Sequence, residues 1–210
     1  METAPYLEQK KTWPRDGKHI LACYDENTIV VYQAFRASIG KFAIKNQYFG
    51  EDFSYSRWSW IKTNFLWMMY RSGWATKPGQ KVILRVTIHR DFFDSLLIQA
   101  VESTWNKNIY PTEKAWKSDI VRSNVRLQWD PDHTPTGGKL ERRAIQLGLR
   151  RKALEEYGRN AIVNIDDISH FVSQQRPYIS IEQRQQLHTP REKIYCPSSE
   201  QAKQVIGLSR

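Results

Sequence analysis

The segment SWIKTNFLWMMYRSGW, residues 59–74, combines tryptophans with Lys62, Asn64 and Arg71. A packed core excludes the charged and amide side chains, and a solvated face excludes the tryptophans. A ligand cleft accommodates both, because aromatic rings stack on a flat ligand while cationic groups attract an anion. The segment therefore predicts a cleft for a flat, anionic ligand. The alternative is that the tryptophans form core and the arginines lie at the surface with buried stems.

More aromatic and cationic residues lie upstream of this segment. Tyr32 and Arg36 share one face of a predicted strand, and Arg36 at its end can present a guanidinium to a phosphate. Tyr55, Arg57 and Trp60 follow, and flat side chains of this kind can stack on a base or a pyridine ring.

The segment KLERRAIQLGLRRK, residues 139–152, is a charge run that brackets an apolar stretch. Gln146 is the one polar side chain inside that stretch, and Glu141 lies five residues earlier. A single amide in an apolar strand is either a satisfied core group or a ligand contact.

Asp130, Asp132 and His133 offer ligands for a hard metal ion, but the pattern favours a proline-fixed turn whose Asp side chains cap backbone amides. The histidines lack zinc-site spacing, and no G-x-S-x-G or G-x-G-x-x-G motif occurs. Cys23 is expected to be a small buried thiol. We therefore predict no metal and no covalent nucleophile.

Composition limits the class of protein. The chain has 210 residues, 40% of them hydrophobic, and a formal net charge of +10. These values predict a single soluble domain, with no membrane segment and no secretory signal. Two isolated cysteines favour the reducing cytoplasm. The basic charge attracts polyanions, which makes DNA, RNA or a phosphate-rich cofactor the expected partner.

Hydrophobic patterning predicts short strands separated by single helices, without a regular βαβ alternation. Strands are predicted at 28–36, 81–90 and 125–130, and helices at 37–50, 62–71, 91–103, just after 111, and 151–159. Residues 142–150 are a strand or a helix start, 130–139 a loop, and 161–172 a strand followed by a helix. The predicted organisation is an N-terminal arm (1–18), one α+β domain (19–175) and a loosely packed C-terminal extension (176–210).

Residues 25–175 resemble a widespread family that is defined by sequence as a domain of unknown function. Four stretches carry this resemblance: ENTIVVYQAFR, DFSYSRWSWIKTNFLWMMYRSGW, LQWDPDH and KLERRAIQLGLR.

The chain is also similar, more distantly, to ADP-ribosyltransferases of the nucleic-acid-modifying type. VVYQAFR resembles their first strand, with Arg36 as the phosphate-binding residue, and FLWMMYRSGW resembles the second element, with Tyr70 and Ser72 near the nicotinamide. RRAIQLGLRRKALEEYGRNAIVNI resembles their strand–helix–strand, with Gln146 where the family has an acid. Glu141 takes the place of that acid only if this segment aligns with the family's strand in a different register.

This second resemblance implies an α+β single domain with a split mixed β-sheet and flanking helices around a cleft for NAD, used as a substrate. Gln146 and Glu141 are then the catalytic candidates. The implied cofactor-binding residues are Tyr32, Arg36, Tyr55, Arg57, Trp60, Tyr70, Arg71 and Ser72. The implied acceptor is a nucleic acid. Two alternatives remain: a non-enzymatic nucleic-acid-binding module and a metal-dependent phosphoesterase.

Overall fold

The computed structural model describes residues 1–208 of the chain. Its strands are β1 (Thr3–Pro5), β2 (Ile20–Ala22), β3 (Thr28–Phe35), β4 (Ser59–Lys62), β5 (Val82–His89), β6 (Val101–Glu102), β7 (Val125–His133), β8 (Lys139–Leu149), β9 (Ile162–Asp167), β10 (His188–Pro190) and β11 (Lys193–Tyr195). Its α-helices are α1 (Tyr6–Thr12), α2 (Ala37–Asn46), α3 (Phe65–Ser72), α4 (Arg90–Gln99), α5 (Glu113–Arg122), α6 (Arg151–Arg159), α7 (Ser169–Gln175) and α8 (Glu200–Ile206). Two 3₁₀ turns cover Arg176–Ile179 and Arg184–Gln186.

A seven-stranded sheet in the order β6-β7-β8-β4-β3-β5-β9 forms the centre of the molecule. The β6–β7 pair is parallel and the other neighbours are antiparallel, so the sheet is mixed. Helices flank it on both sides, and the predicted α+β single domain is confirmed at this level. None of the helices in residues 1–208 is long and apolar enough to cross a membrane.

The sheet is weakly joined between β3 and β4. In the described chain these strands share one register pair, Tyr32 with Lys62, whereas β3 pairs with β5 along its whole length. Gln33 fills part of the gap, since its Nε2 donates to Ser59 Oγ at 2.9 Å and to the Trp60 carbonyl at 3.2 Å. The strands therefore diverge beyond this joint and leave an opening in the sheet.

Two hydrophobic clusters hold the sheet. The larger one packs the apolar face of β7, β8 and β4 against α4 and α6, for example through Ile61, Leu147 and Leu154. The smaller one joins α3 to the N-terminal segment and α7, through Phe65, Tyr6 and other residues. Helix α3 is thus anchored on one side of the sheet, beside the opening.

The helix predicted over 62–71 starts later in the structure, because residue 62 is the last residue of a strand. Residues Ser59–Lys62 form β4, and the helix begins only at Phe65. Asn64 is its N-cap, because the Asn64 side chain accepts a hydrogen bond from Trp67 N at 2.7 Å. The asparagine therefore ends the strand and fixes the start of the helix.

The predicted loop over 130–139 is shorter than expected. β7 continues through Pro131 to His133, and β8 begins at Lys139. The register shifts between Pro131 and His133, which accommodates a proline that has no N–H to donate to the ladder. A bulge thus lets the strand pass a residue that would otherwise end it.

The prediction that the C-terminal extension, residues 176–210, packs loosely is wrong for the described residues. β10 pairs with β1 and β11 pairs with β2, while Leu187 and Tyr195 are fully buried. Trp13 Nε1 also donates to the Glu192 carbonyl at 3.0 Å. The apolar residues of this segment enter cores built by other segments, so they show no periodicity of their own. Residues 209–210 of the predicted extension lie outside the described chain.

Candidate functional site

A cleft of about 540 Å³ opens where the sheet divides. It is lined by residues of β3, β4, β7, β8 and α3, together with Trp58 just before β4 and Gln80 just before β5. The lining residues are Gln33, Ala34, Phe35, Trp58, Ser59, Trp60, Lys62, Trp67, Met68, Arg71, Gln80, Gln128 and Gln146. The volume lies within the range of about 300–1,000 Å³ that is usual for small-molecule sites.

The floor of the cleft is the polar face of three adjacent strands. Lys62, Gln146 and Gln128 lie opposite one another on β4, β8 and β7. Ile61 and Leu147, one position along the strands, point to the other face and are buried in the larger cluster. Strand alternation thus separates an apolar core face from a polar ligand face.

The Gln146 side chain is fixed by two hydrogen bonds. Its Nε2 donates to Asp130 Oδ2 at 2.5 Å and to Gln128 Oε1 at 3.1 Å. Both amide protons are therefore used, and within residues 1–208 the Oε1 atom accepts no hydrogen bond. This oxygen can accept a hydrogen bond from a ligand hydroxyl.

Asp130 supports the floor from β7. Burial raises the pKa of this carboxyl, while the hydrogen bond from Gln146 and the nearby charges of Lys62 and Arg143 lower it. When ionised, the carboxylate polarises the Gln146 amide and makes its oxygen a stronger acceptor.

Lys62 is a buried amine beside the floor. The residue is 4% exposed, and its Nζ lies 5.0 Å from the centre of the Trp67 ring. Within the described chain Nζ has neither a hydrogen bond nor an ion pair. Burial lowers the pKa of Lys62 to about 7, with a further lowering by Arg71 and an opposing effect of Asp130. The amine therefore changes charge near neutral pH.

Aromatic side chains form the walls. The Trp60 ring lies against Gly148 of β8, where a Cβ atom would approach the ring to 2.9 Å. Glycine at this position thus lets the indole lie on the strand. Trp67 lines the cleft from α3, and its buried Nε1 has no hydrogen-bond partner among residues 1–208. At the mouth, Arg71 is exposed and donates to Gln80 Oε1 at 3.2 Å.

Three of the predicted site residues, Trp60, Arg71 and Gln146, come together in the cleft. Tyr32 and Ser72 do not, because both are fully buried in the smaller cluster and the helix behind it. Ser72 Oγ donates to the Met68 carbonyl at 2.9 Å, as helix serines commonly do.

The remaining predicted residues lie outside the cleft lining. Tyr70 stacks on His133 with the ring centres 3.6 Å apart, and Arg36 pairs with Asp52 at 3.0 Å on the surface. Tyr55 donates to the Phe49 carbonyl at 2.6 Å and packs on Gly158. Arg57 and Glu141 are exposed.

Glu141 cannot take the catalytic position of Gln146 in the cleft, because the observed strand register places Gln146 there. Glu141 lies five residues before Gln146 on β8, about 16 Å along an extended strand and on the alternate face. Lys62 pairs with Gln146 itself.

The binding residues predicted from sequence did not include Lys62, Gln128 or Gln33, although Lys62 lies in the segment that indicated the cleft. The polar residues of VRLQWD alternate with apolar ones, which is also the pattern of any half-exposed strand. Only the pairing of β7 with β8 brings this polar face under the tryptophans.

The candidate metal ligands are separated by the bulge in β7. Asp130 accepts from Gln146, Asp132 pairs with buried Arg142 at 2.5 Å, and His133 stacks on Tyr70. No group of three or more His, Cys, Asp or Glu residues in 1–208 is arranged to hold a metal ion. These residues do not support a phosphoesterase.

Cys23 is also unsuited to nucleophilic chemistry, because burial raises the pKa of its thiol to about 12.

The fold and the cleft define a single-domain α+β protein with an amide- and tryptophan-lined site at the division of a mixed sheet. The model of one family, described as a domain of unknown function (DUF4291), matches residues 19–195, and the chain belongs to this family. A comparison with curated proteins found no match. The matched region includes β10 and β11, so the C-terminal strands belong to the family domain.

Proposed function

We propose that the cleft binds NAD and that the protein transfers ADP-ribose from it to a nucleic-acid acceptor. One observation carries this proposal: β3, the β4–α3 segment and β8, which are distant in sequence, are neighbours around one cleft. They include the three segments that resemble ADP-ribosyltransferases: β3, the segment of residues 65–74 that contains α3, and β8. The strand–helix–strand of the third segment corresponds to β8, α6 and β9.

The lining residues suit the parts of NAD. Trp60 and Trp67 offer flat surfaces for the nicotinamide and adenine rings, and the unused Trp67 Nε1 can donate to a ligand oxygen. Arg71 and protonated Lys62 supply positive charge for the diphosphate. Gln146 Oε1 accepts a hydrogen bond from a ribose hydroxyl.

The proposed reaction needs no protein nucleophile. The bond between the ribose anomeric carbon and the nicotinamide nitrogen breaks, and its electron pair leaves with nicotinamide. An oxocarbenium-like centre develops on the ribose, and a nitrogen or oxygen of the acceptor attacks it and loses its proton to solvent. The cleft contributes by orienting the ribose and by placing the Gln146 oxygen, polarised by the hydrogen bond to Asp130, near the developing positive charge.

The test is a transfer assay with NAD labelled in its ADP-ribose part, with single-stranded DNA and RNA as acceptors. Nicotinamide release and labelling of the oligonucleotide are measured together. Gln146→Ala and Arg71→Ala are expected to lose at least tenfold in activity, since each removes a charge-assisted or ribose-orienting contact. Gln99→Ala and Arg122→Ala, which change exposed residues of α4 and α5, are the matched controls and retain activity.

Thermal unfolding with NAD separates binding from turnover. NAD at one hundred times its dissociation constant stabilises the folded state by about 2.7 kcal/mol. Absence of a shift, together with absence of transfer, contradicts the proposal. If oligonucleotides still bind, the non-enzymatic nucleic-acid-binding module replaces it.

A further inference from the structure

Trp58 lines the cleft, and two arginines make cation–π contacts with its ring. The guanidinium carbon of Arg126 lies 4.4 Å from the centre of the Trp58 ring, and that of Arg150 lies 4.6 Å from it. Neither arginine lines the cleft. We call Trp58, Arg126 and Arg150 the rim platform. It therefore holds two planar cations together beside the proposed NAD site.

In the described part of the chain, no carboxylate forms an ion pair with the arginines of the rim platform. Arg150 donates to the carbonyls of Ser123 and Val121, which fixes its position without cancelling its charge. The buried Arg126 Nε has no hydrogen-bond partner in the described chain. A bound anion would supply a hydrogen-bond acceptor for Arg126 Nε and a negative charge beside the two guanidiniums.

The rim platform is continuous with the floor of the cleft. Arg126 of β7 pairs with Gly148 of β8, against which the Trp60 ring packs. Arg126 also lies on the same face of β7 as Gln128. A chain of phosphates that crosses the platform therefore passes directly beside the cleft. Exposed Arg57 and Arg151 are the sequence neighbours of Trp58 and Arg150 and add positive charge to this part of the chain.

We propose that the rim platform binds the phosphates next to the acceptor nucleotide of a single-stranded nucleic acid, and so directs that nucleotide into the cleft. This rests on the function proposed above and names its acceptor. The planar fork of donors on a guanidinium matches the oxygens of a phosphate diester. A single strand is required because a paired base cannot leave its stack to reach the cleft without an energetic cost. Tryptophan keeps the two like charges in place through cation–π contacts.

Fluorescence anisotropy with a short, mixed-sequence single-stranded oligonucleotide tests this assignment over a series of KCl concentrations. Arg126→Gln is expected to weaken binding about tenfold, which corresponds to about 1.4 kcal/mol. It should also reduce the slope of log K against log salt by about 0.7, the value for one phosphate contact on a single strand. Arg126→Lys keeps the charge and should retain most of the slope. Trp58→Phe should weaken binding less than Arg126→Gln.

The matched controls are Arg122→Gln and Trp105→Phe, which change an exposed arginine and an exposed tryptophan away from the cleft lining. Both are expected to bind the oligonucleotide like the unmodified protein. The assignment is overturned if Arg126→Gln binds normally, if Arg122→Gln loses as much affinity, or if a duplex binds at least as tightly. It is also overturned if an acidic peptide competes as well as the oligonucleotide does.

Thermal shifts with NAD on the same variants separate the two proposals. Arg126→Gln is expected to keep the NAD shift, because Arg126 does not line the cleft. If NAD binds but the platform variants bind the strand normally, the platform is wrong and the transferase proposal stands. If the platform variants lose strand binding while the unmodified protein shows no NAD shift, the platform stands and the transferase proposal fails.

Discussion

At the scale of single residues, Lys62 combines deep burial with the absence of a counter-ion within ion-pair distance in the described chain. Folding removes water from the charged amine, which costs free energy, and repulsion from the positive charge of Arg71 adds to this cost. Such an arrangement lowers stability in the free protein. It is consistent with a group that receives its partner from a ligand.

Replacement of Lys62 by methionine is expected to stabilise the protein at pH 7 and below. The unfolded chain protonates this amine up to its ordinary pKa of 10.5, whereas the folded pKa is about 7. The unfolded state therefore binds more protons between these values, so the penalty is complete below pH 7 and fades as the pH rises towards 10.5. Its full size is no more than about 5 kcal/mol.

Thermal or urea unfolding of both proteins between pH 6 and pH 10 measures this difference. The advantage of Lys62→Met should shrink steadily as the pH rises. A difference that does not change with pH would show that Lys62 is protonated in the folded protein throughout.

Gly148→Ala is expected to damage the cleft more than the core. The added Cβ would meet the Trp60 ring at 2.9 Å, so the indole must move away from β8. Overpacking of this kind costs about 1–3 kcal/mol and should reduce NAD affinity as well. Combining it with Trp60→Phe, a smaller ring, should recover stability, and a double-mutant cycle measures the coupling. Strictly additive effects would contradict the contact.

At the scale of elements, the start of α3 decides the shape of the cleft, because this helix supplies Trp67 and Arg71. Two groups hold its first turn: the Asn64 side chain caps Trp67 N, and Glu192 Oε1 accepts from Phe65 N at 2.7 Å. Glu192 comes from the segment between β10 and β11. The position of the cleft wall thus depends on a residue near the C-terminus.

Glu192→Ala is therefore expected to destabilise the protein by about 1–3 kcal/mol, since it leaves a buried helix donor unpaired. Glu192→Gln keeps an acceptor oxygen and should retain most of this stability. Burial raises the pKa of Glu192 well above its ordinary 4.5, so the stability of the unmodified protein falls as the pH rises above 4.5, and that of Glu192→Gln falls less. Urea unfolding at pH 4 and pH 7 measures both effects. Equal stability of the alanine and glutamine variants would exclude the helix-start role.

At the scale of the whole molecule, the two ends of the described chain hold each other and the domain together. Gln9 Nε2 donates to Thr189 Oγ1 at 2.8 Å, and its Oε1 accepts from Glu192 N at the same distance. Ile206 of α8 is fully buried in the larger cluster. The C-terminal segment is thus part of the folded unit.

Ile206→Ala is expected to cost about 2–5 kcal/mol, because it leaves a cavity in that cluster. Ile181→Ala, in the same segment but 77% exposed, is the matched control and should change stability by less than about 0.5 kcal/mol. Chemical denaturation of both variants measures the difference. Similar, small effects at both positions would mean that the segment packs loosely after all.

The sequence by itself determined the elements whose patterns are local. The alternation of KVILRVTIHR predicted β5, and the amphipathic segment at 91–103 predicted α4, because side-chain period follows from backbone geometry alone. The aromatic and cationic composition of 59–74 also indicated a cleft. In contrast, Asn64 could be identified as a helix cap only once the strand before it was known.

Only the tertiary structure decided which of these residues meet. Arg36, Tyr55 and Tyr70 have the right chemistry but find partners elsewhere, in Asp52, Phe49 and His133. Gln128 and Lys62 join Gln146 because strands far apart in sequence pair in one register. Strand pairing and the insertion of single apolar residues into a distant core are long-range effects, and they leave no periodic signal in the segments that take part.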